Sequence, residues 1–494
     1  MLLGTWSFPA SAAELPQRPN IIIVMPDDQG YGDLGCHGNP ILKTPHIDGF
    51  YKDCLRFTDF HVSPTCAPTR SALMTSRHEF RNGVTHTILE RERMTLKATT
   101  VAQVLKGAGY ATGIFGKWHL GDEREYWPDK RGFDEMFIHG AGGIGQTYPG
   151  SCGDAPDNKY FDPAILHNGK FVKTKGYCTD VFFAQAIQWM DSKRKAKAPF
   201  FTYITPNAPH GPLDCPEDYE KRYTGKVPPN AAKFYGMISN IDDNFGKLLA
   251  KLKEWGIERD TLLIFMTDNG GTAGVQTYNA GMRGSKGTPY QGGTRVPALW
   301  RWPAAWKGGV DINQLTAHYD LFPTFAELAG AKLSDAVRRQ IEGRSLVPLL
   351  KDPNAPWADR LFVTHVGRWD HGKAAQSKYA AFSIRNSRYT LVNATRQGEK
   401  WELFDLQNDF GEKTNLIDSK PEVARELRAA YDQWWDETQP YLVNENVTAP
   451  KINPFKELYW KQFGGGPDAE LLRRMDPTLP FEIGGPRKAK NKQK

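Results

Sequence analysis

NIIIVM, residues 20–25, is a continuous run of apolar, mostly β-branched side chains that leads directly into the polar stretch PDDQGYGD, residues 26–33. A strand with one wet face alternates apolar and polar residues, whereas a strand of a parallel sheet is buried on both faces and reads as one apolar run. ATGIFG (111–116), PFFTYIT (199–205) and TLLIFM (261–266) have a similar texture. These runs predict the central strands of a buried parallel sheet.

Helical patterns lie between these strands. Residues 231–255 carry apolar side chains at the i, i+3, i+4, i+7 spacing of a helix packed on one side. The positions are Phe234, Met237, Ile238, Ile241, Phe245, Leu248, Leu249 and Leu252. Strands that alternate with helices predict an α/β domain with a largely parallel sheet, here over residues 18–355.

The pattern changes after residue 355. Residues 360–367, 379–393 and 400–407 are short alternating segments, and a helical pattern follows at 421–439. They predict a small antiparallel sheet with one helix, over residues 356–440. Residues 441–494 are predicted to be an irregular extension that ends in the basic tail GGPRKAKNKQK.

Composition narrows the class of protein. The 494 residues are 40% hydrophobic and 24% charged, as in a globular protein, and no run of eighteen apolar residues predicts a membrane span. The net charge of +7 sits partly in the tail and does not predict a nucleic-acid partner.

The first seventeen residues, MLLGTWSFPASAAELPQ, have a short apolar stretch and an A-x-A-like site but no positive start. They predict either a signal peptide, hence a periplasmic or secreted protein, or a disordered leader of a cytoplasmic one. The six cysteines form no CxxC pair, which argues against a zinc ribbon or a thioredoxin motif. One or two disulfides are compatible with export, but their pairing cannot be read from spacing.

Polar clusters follow the four buried strands. Functional groups of open α/β sheets gather at the carboxyl ends of the strands, so four such clusters predict a site. Asp27 and Asp28 follow the first strand, and Asp268 and Asn269 follow the fourth. Together they offer four oxygen ligands for a hard cation such as Ca²⁺ or Mg²⁺. The alternative for either pair alone is a helix cap or a turn.

Cations and imidazoles accompany these oxygen ligands. Lys117 and His119 follow the second strand two residues apart, His210 follows the third, and Lys286 lies beyond the fourth. Positive groups that converge on a cleft suit a tetrahedral anion, whose charge must be held in the transition state. Each of them taken alone is more commonly an ordinary surface residue.

Cys66 lies in HVSPTCAPTRSALMTSRH, residues 61–78, just before a predicted helix. Pro68 falls in the first turn, where a missing N–H costs nothing. A helix N-terminus favours an anion or a nucleophile, and Arg70 is one turn further along. The residues alone therefore suggest a thiolate nucleophile, which does not explain an oxygen-rich metal cluster beside it.

CAPTR, residues 66–70, resembles the C-x-P-S/T-R signature of the type I sulfatases. The resemblance covers most of the chain in seven further ordered blocks: 26–38, 44–50, 116–121, 207–212, 267–271, 283–297 and 401–416. It implies the alkaline-phosphatase-like fold, a large mixed and mostly parallel sheet flanked by helices, with a smaller C-terminal antiparallel subdomain. It also implies sulfate ester hydrolysis.

The family's cysteine is oxidised to formylglycine by a maturation enzyme that reads this short motif. The resemblance implies that Asp27, Asp28, Asp268 and Asn269 hold the cation, with the modified Cys66 completing the site. One hydroxyl of the hydrated aldehyde would attack sulfur and form a covalent sulfate ester, and the second hydroxyl would then expel sulfate. Ca²⁺ is favoured by the number of carboxylates, with Mg²⁺ as the alternative.

The remaining roles are carried over in the same way. His210 is expected to give a proton to the leaving oxygen, and His119 to act as the base that regenerates the aldehyde. Lys117 and Lys286 are expected to hold sulfate oxygens, and Arg70 to steady the nucleophile.

Two positions depart from the family pattern. Thr69 replaces the commoner serine and keeps a hydroxyl, and Ser76 stands where the family usually has glycine. A serine is strained at Ser76 if the backbone there needs a positive φ, which would affect maturation rather than the site.

Two other functions fit parts of the sequence. A phosphodiesterase or phosphonate monoester hydrolase of the same superfamily would use a similar site, because phosphate and sulfate esters are both tetrahedral anions. A non-catalytic glycan-binding relative could use some of the fourteen tryptophans, such as Trp434 and Trp435, to stack on sugars.

The substrate is expected to be a sulfated small molecule or carbohydrate. The loop at residues 139–163, rich in Gly and Pro, is expected to line its pocket, the alternative being an ordinary long loop.

Overall fold

The computed structural model describes residues 15–146 and 153–467. Nearly all of the predicted leader and the whole basic tail lie outside these residues. Within them, no helix has both the length and the apolar character needed to cross a membrane. Five of the six cysteines are described, and each of the five is a free thiol.

The strands of the described residues are β1 (Asn20–Val24), β2 (Leu55–Phe57), β3 (Phe60–His61), β4 (Ala111–Lys117), β5 (Glu135–His139), β6 (Ala164–His167), β7 (Lys170–Lys173), β8 (Phe200–Thr205), β9 (Thr261–Met266), β10 (Ala298–Arg301), β11 (Val310–Ile312), β12 (Thr316–Ala317), β13 (Phe362–His365), β14 (Phe382–Arg385), β15 (Tyr389–Asn393) and β16 (Glu402–Asp405).

The α-helices are α1 (Pro45–Lys52), α2 (Cys66–Thr75), α3 (Val101–Gly107), α4 (Cys178–Lys195), α5 (Glu217–Glu220), α6 (Pro229–Glu254), α7 (Gln291–Thr294), α8 (Leu321–Leu328), α9 (Asp335–Gln340), α10 (Val347–Lys351), α11 (Pro421–Thr438) and α12 (Pro454–Phe463).

The large sheet has ten strands in the order β11-β2-β10-β9-β1-β8-β4-β5-β6-β7. Its centre, β9-β1-β8-β4-β5, is parallel throughout, and antiparallel pairs occur towards both edges. The four apolar runs of the sequence are four adjacent strands of this centre. The predicted fold, a mixed and mostly parallel sheet flanked by helices, is confirmed.

The strand β1 sends successive side chains to opposite sides of the sheet, and both sides are buried. Ile21 and Ile23 enter one core, which α3 and α8 cover. Ile22 and Val24 enter the other, which α4 and α6 cover. Two cores on one sheet explain why the sequence here lacks polar alternation.

The small sheet is antiparallel in the order β13-β14-β15-β16, as predicted, and α11 packs on it. Trp435 is buried in its core, and Trp434 packs against the same core. These two tryptophans therefore stabilise the subdomain, which argues against their use as a sugar-stacking platform.

The segment beyond residue 440 differs from its prediction as irregular chain. The helix α12 begins after Asn453, whose side chain accepts a hydrogen bond from the N–H of Phe455, and Pro454 occupies the first turn. Phe455 is fully buried in the same core as Phe171 of β7. Tertiary packing of one aromatic ring thus orders a stretch that a composition rich in Pro and Gly did not mark as helical.

We expect the stability of the protein to depend on the buried carboxyl of Glu412, which accepts the N–H of Gln291 at 3.0 Å. Burial raises the pKa of Glu412 to about 8 from an ordinary 4.5. Because the folded state holds this proton more tightly, the folded protein loses stability relative to the unfolded chain as pH rises from 4.5 to 8.

Glu412→Gln keeps the acceptor but cannot ionise. The melting temperature of the variant minus that of the wild type should therefore increase over this pH range and level off above it. A difference that is independent of pH would contradict the assignment.

Candidate active site

The polar clusters after β9, β1, β8 and β4 come together because these strands are adjacent and parallel. Their carboxyl ends lie at one edge of the sheet, which is where open α/β sheets place their sites. The loops that follow β9, β1 and β8 bring Asp268, Asp27 and His210 to this edge, and Lys117 is the last residue of β4.

Three buried carboxylates form the floor of the site. Asp27, Asp28 and Asp268 each offer an oxygen, and these oxygens lie within 4.8 Å of one another. The backbone N–H of Asp28 donates to Asp268 at 3.2 Å, and the Asn269 amide donates to Asp28 at 3.0 Å. The two oxygen pairs predicted from separate strands are thus one cluster.

The donor set fits a hard cation. Oδ1 of Asp27 and Oδ1 of Asn269 are buried and have no hydrogen-bond partner among the described residues. Buried oxygens without a partner are costly, and a cation with several oxygen ligands would satisfy them. Among the described residues, the group of convergent ligand atoms here consists of carboxylates without a His or Cys member, so its chemistry suits Ca²⁺ or Mg²⁺ rather than zinc.

Two lysines neutralise part of this charge. Nζ of Lys117 donates to Asp27 at 2.6 Å and to the carbonyl of Gly142 at 2.6 Å. Nζ of Lys286 donates to Asp28. Both lysines therefore lie against the carboxylates, as the convergence of positive charge on one cleft requires.

Arg70 serves the third carboxylate. Its guanidinium donates to Asp268 at 2.7 Å and to the carbonyl of Lys117 at 2.9 Å. It therefore links α2 to the loop after β9 and to the last residue of β4. Removing one member of a buried ion pair commonly costs 3–5 kcal/mol, so we expect the loss of Arg70 to destabilise the fold.

The three carboxylates differ in the direction of their pKa shifts. Burial raises the pKa of Asp27 to about 6 and, with the charge of Asp27, that of Asp268 to about 6. Burial also acts on Asp28, but the charges of Lys286 and His210 outweigh it and hold that pKa below its ordinary value. Asp28 is thus the carboxylate most firmly ionised by the protein alone.

Cys66 is the first residue of α2 and is buried. Burial would raise the pKa of its thiol, but Lys117 and Lys286 outweigh burial and lower it. The predicted position at a helix N-terminus is confirmed, and Thr69 keeps its hydroxyl bonded to the carbonyl of Ser63 at 3.1 Å.

Ser76 ends α2 with a φ of 61°, in the left-handed region. The condition under which serine would be strained here, a positive φ, is therefore met. Its hydroxyl donates to the carbonyl of Tyr319 at 2.7 Å and accepts the N–H of Gly343 at 3.3 Å. These two bonds offset the backbone strain that serine adds over glycine.

The two imidazoles bond to the backbone through different ring nitrogens. His119 donates from Nε2 to the carbonyl of Thr87 at 2.7 Å, so its buried Nδ1 carries the lone pair. His210 donates from Nδ1 to the carbonyl of Gly211 at 2.6 Å, and its Nε2 lies 3.9 Å from Asp28. Burial lowers the pKa of His210 to about 4 and that of His119 well below 6.5.

Glycines behind these imidazoles were missed by the sequence analysis. A Cβ at Gly143 would lie 2.8 Å from Nδ1 of His210, and one at Gly142 would lie 3.0 Å from Cε1 of His119. The glycines leave the space that both rings occupy. Glycine recurs several times directly after β5, but nothing in the sequence connected these glycines with the two histidines.

A cavity of about 320 Å³ adjoins the carboxylate cluster through Lys286, which lines the cavity and donates to Asp28. Cys66, His119 and His210 line the cavity as well. Gly142 and Gln146 also line it, which confirms that the long loop contributes to the pocket, although residues 147–152 lie outside the described part.

Five further residues that no motif marked line the same cavity. They are His86, Thr87, Ile88, Arg368 and Arg396. The first three precede β4 by more than twenty residues, and the arginines belong to the C-terminal subdomain. Only the folded chain brings them to the site.

A family model described as Sulfatase matches residues 19–331. The chain belongs to the sulfatase family. A second model, described as N-sulphoglucosamine sulphohydrolase, C-terminal, matches residues 285–435. The protein is therefore a type I sulfatase of the alkaline phosphatase superfamily and a sulfuric ester hydrolase.

Named relatives agree. Arylsulfatase A of Homo sapiens is 30% identical over 464 residues, covering 85% of this chain and 88% of that protein. N-acetylgalactosamine-6-sulfatase of Rattus norvegicus is 32% identical over 371 residues, covering 69% and 67%. Arylsulfatase J of Mus musculus is 30% identical over 397 residues, covering 78% of this chain and 64% of that protein.

A solved structure agrees as well. That of Ps i-CgsB superimposes with a TM-score of 0.77 at 28% identity, covering 90% of this sulfatase and 97% of that chain. The same protein has also been solved with k-i-k-neocarrahexaose.

We predict that Gly143→Ala lowers kcat/KM for an aryl sulfate by about 100-fold, because displacing a reacting group by about 1 Å can cost that much. The added methyl would push on the ring of His210. Gly107→Ala is the matched control, since a Cβ there meets nothing within 4 Å. Equal activities of the two variants, both folded by circular dichroism, would refute the role of this close approach.

Proposed function

We propose that this sulfatase removes sulfate from a carbohydrate, using a formylglycine made from Cys66 and a bound Ca²⁺, with Mg²⁺ as the alternative. The observation that carries the proposal is the position of Cys66. It begins a helix beside three carboxylates, within the electrostatic reach of Lys117 and Lys286.

Formylglycine and the cation would have separate tasks in the reaction. When present, hydrated formylglycine supplies an oxygen nucleophile and the cation supplies positive charge that polarises the sulfate. A formylglycine-generating maturation enzyme is the implied partner, because a thiol is a poor companion for a hard cation.

The cation would be held by Asp27, Asp28, Asp268 and Asn269. Two observations support this set: the carboxylate oxygens converge, and the orphaned oxygens of Asp27 and Asn269 are buried. Arg70 fixes the direction of Asp268 through its guanidinium bond.

Lys117 and Lys286 are proposed to hold sulfate oxygens. An ammonium group has three donors. Lys117 uses two of its hydrogen bonds on Asp27 and Gly142, and Lys286 uses one on Asp28, so each keeps capacity for an anion.

His119 is proposed to act as the base. Its Nε2 proton is committed to Thr87, so its neutral Nδ1 can accept a proton. Its pKa, lowered well below 6.5 by burial and Lys117, keeps the ring neutral and ready to act as a base near neutral pH.

His210 is proposed to protonate the leaving oxygen from Nε2, because Nδ1 is committed to Gly211. Burial and Lys286 lower its pKa, whereas Asp28 raises it. A sulfate anion bound next to the ring would raise it further and so favour the protonated acid.

A carbohydrate sulfate is the preferred substrate class. It is supported by the name of the relative N-acetylgalactosamine-6-sulfatase and by the complex of Ps i-CgsB with an oligosaccharide. The weak leader sequence suggests export to the periplasm or medium, which is where such polymers are met.

We expect a sulfate ester to be hydrolysed faster than the phosphate ester of the same phenol. The chain is co-expressed with a formylglycine-generating enzyme and assayed with Ca²⁺. Turnover should disappear in Cys66→Ala, because the nucleophile is lost.

Preference for the phosphate ester would move the protein to the phosphoryl branch of the superfamily. Activity that survives in Cys66→Ala would refute the proposed nucleophile. A phosphonate monoester hydrolase has the same fold, with a TM-score of 0.61 at 19% identity, so fold alone does not separate the two.

Metal removal provides a second prediction. A chelator should abolish activity and Ca²⁺ should restore it, and saturating Ca²⁺ should raise the melting temperature because it binds the folded state. The increase should be lost in Asp27→Asn. Asp242→Asn is the control, since Asp242 belongs to a separate acidic group with His46 and Asp243. A Ca²⁺ response lost only in the control would place the cation at that other group.

A further inference from the structure

Three side chains that line the cavity have no part in the mechanism above. His86 comes from the segment before β4, whereas Arg368 and Arg396 come from the C-terminal subdomain. All three carry N–H donors, and none of the residues that line this cavity in the described part has a carboxylate. The part of the cavity wall that they form is therefore positive and rich in donors.

Arg368 is held in place by its backbone. Its φ is 46°, and its N–H donates to the carbonyl of Thr85 at 3.1 Å. The preceding Gly367 approaches so closely that a Cβ would lie 1.6 Å from the same carbonyl oxygen. Such a tight contact fixes where the arginine leaves the chain.

The guanidinium of Arg368 reaches the edge of the reaction centre. Nη2 donates to the hydroxyl of Thr87 at 3.3 Å, and the carbonyl of Thr87 holds His119. Nη1 lies 4.0 Å from the Cβ position of Gly287, the neighbour of Lys286. Arg368 thus contacts the residue that holds His119 and lies near the backbone next to Lys286.

His86 adds a neutral donor. Its Nδ1 accepts the N–H groups of Thr87 and Ile88 at 2.8 and 3.1 Å, so the ring proton is on Nε2. Burial lowers the pKa of His86 well below 6.5, and the charges of both Arg368 and Arg396 add to this. The ring stays neutral and can donate one hydrogen bond.

Arg396 lies on the turn between β15 and β16 and is exposed. It lines the same cavity as Arg368, and both act electrostatically on His86. Guanidinium groups bind carboxylate and sulfate oxygens through pairs of parallel hydrogen bonds. Two of them with a histidine donor match one further anion.

We propose that His86, Arg368 and Arg396 form a second anion subsite, so that the substrate is a saccharide with a sulfate or carboxylate besides the sulfate that is removed. The inference rests on the proposed function and names its substrate class more closely. Because a cavity of about 320 Å³ holds both sites, the second anion belongs to the same sugar or the adjoining one.

Three probes test the subsite: galactose 6-sulfate, galactose 4,6-disulfate, and glucuronate linked to galactose 6-sulfate. The readout is the ratio of kcat/KM for a doubly charged probe to that for the singly charged one. We expect a ratio well above one in the wild type. Arg368→Gln and Arg396→Gln should each lower it by about 10- to 100-fold, the range for a lost hydrogen bond to a charged group.

Two further variants sharpen the result. Arg396→Lys should keep part of the preference, since it keeps the charge. Arg425→Gln, an exposed arginine on α11 of the same subdomain, should keep the wild-type ratio. A preference for only one doubly charged probe identifies the second anion as sulfate or carboxylate. Ratios that do not change in the Arg368 and Arg396 variants overturn the subsite while leaving sulfatase activity intact.

A binding measurement tests the subsite independently of catalysis. Calorimetry on Cys66→Ala protein with Ca²⁺ measures affinity for the same probes without turnover. Tighter binding of doubly charged probes, lost in Arg368→Gln, supports the subsite even if no probe is hydrolysed, in which case the proposed function fails for these sugars. Equal affinity for singly and doubly charged probes overturns the subsite.

Discussion

Burying three carboxylates at one edge of a sheet is the constraint on which the site depends. Asp27, Asp28 and Asp268 each place an oxygen within 4.8 Å of the others, where their mutual repulsion is poorly screened. Three cations offset this repulsion. Lys117 pairs with Asp27, Lys286 with Asp28, and Arg70 with Asp268. The parallel centre of the sheet holds these groups in one place, and a hard cation is the ligand that such an oxygen cluster accepts.

The same charges explain why a cysteine begins α2. The lysines that neutralise the carboxylates also lower the pKa of Cys66, and the helix N-terminus adds N–H donors that favour negative charge. Negative charge is therefore stabilised at the N-terminus of α2, whether it is carried by a nucleophile or by a bound anion. The proposed metal site, the proposed nucleophile and the two lysines proposed to hold sulfate therefore form one electrostatic unit.

The acidic cluster could be predicted from the sequence because its members follow buried strands: Asp27 follows the run at residues 20–25, and Asp268 follows the run at 261–266. Cys66 and Arg70 were predicted from the CAPTR motif instead. The contribution of the C-terminal subdomain to the cavity could not be predicted. Arg368 reaches Thr87 only because the C-terminal subdomain packs beside the segment before β4. Helix α12 was missed for a similar reason, since one buried ring, Phe455, decides it.

The proposed reaction requires that Cys66 be oxidised to an aldehyde, from which the nucleophile arises. Mass spectrometry of the peptide that contains residue 66, taken from catalytically active protein, measures this oxidation. The peptide should have the mass of formylglycine and be labelled by a hydrazide reagent. Active enzyme whose peptide carries only the unmodified thiol would contradict the proposed reaction.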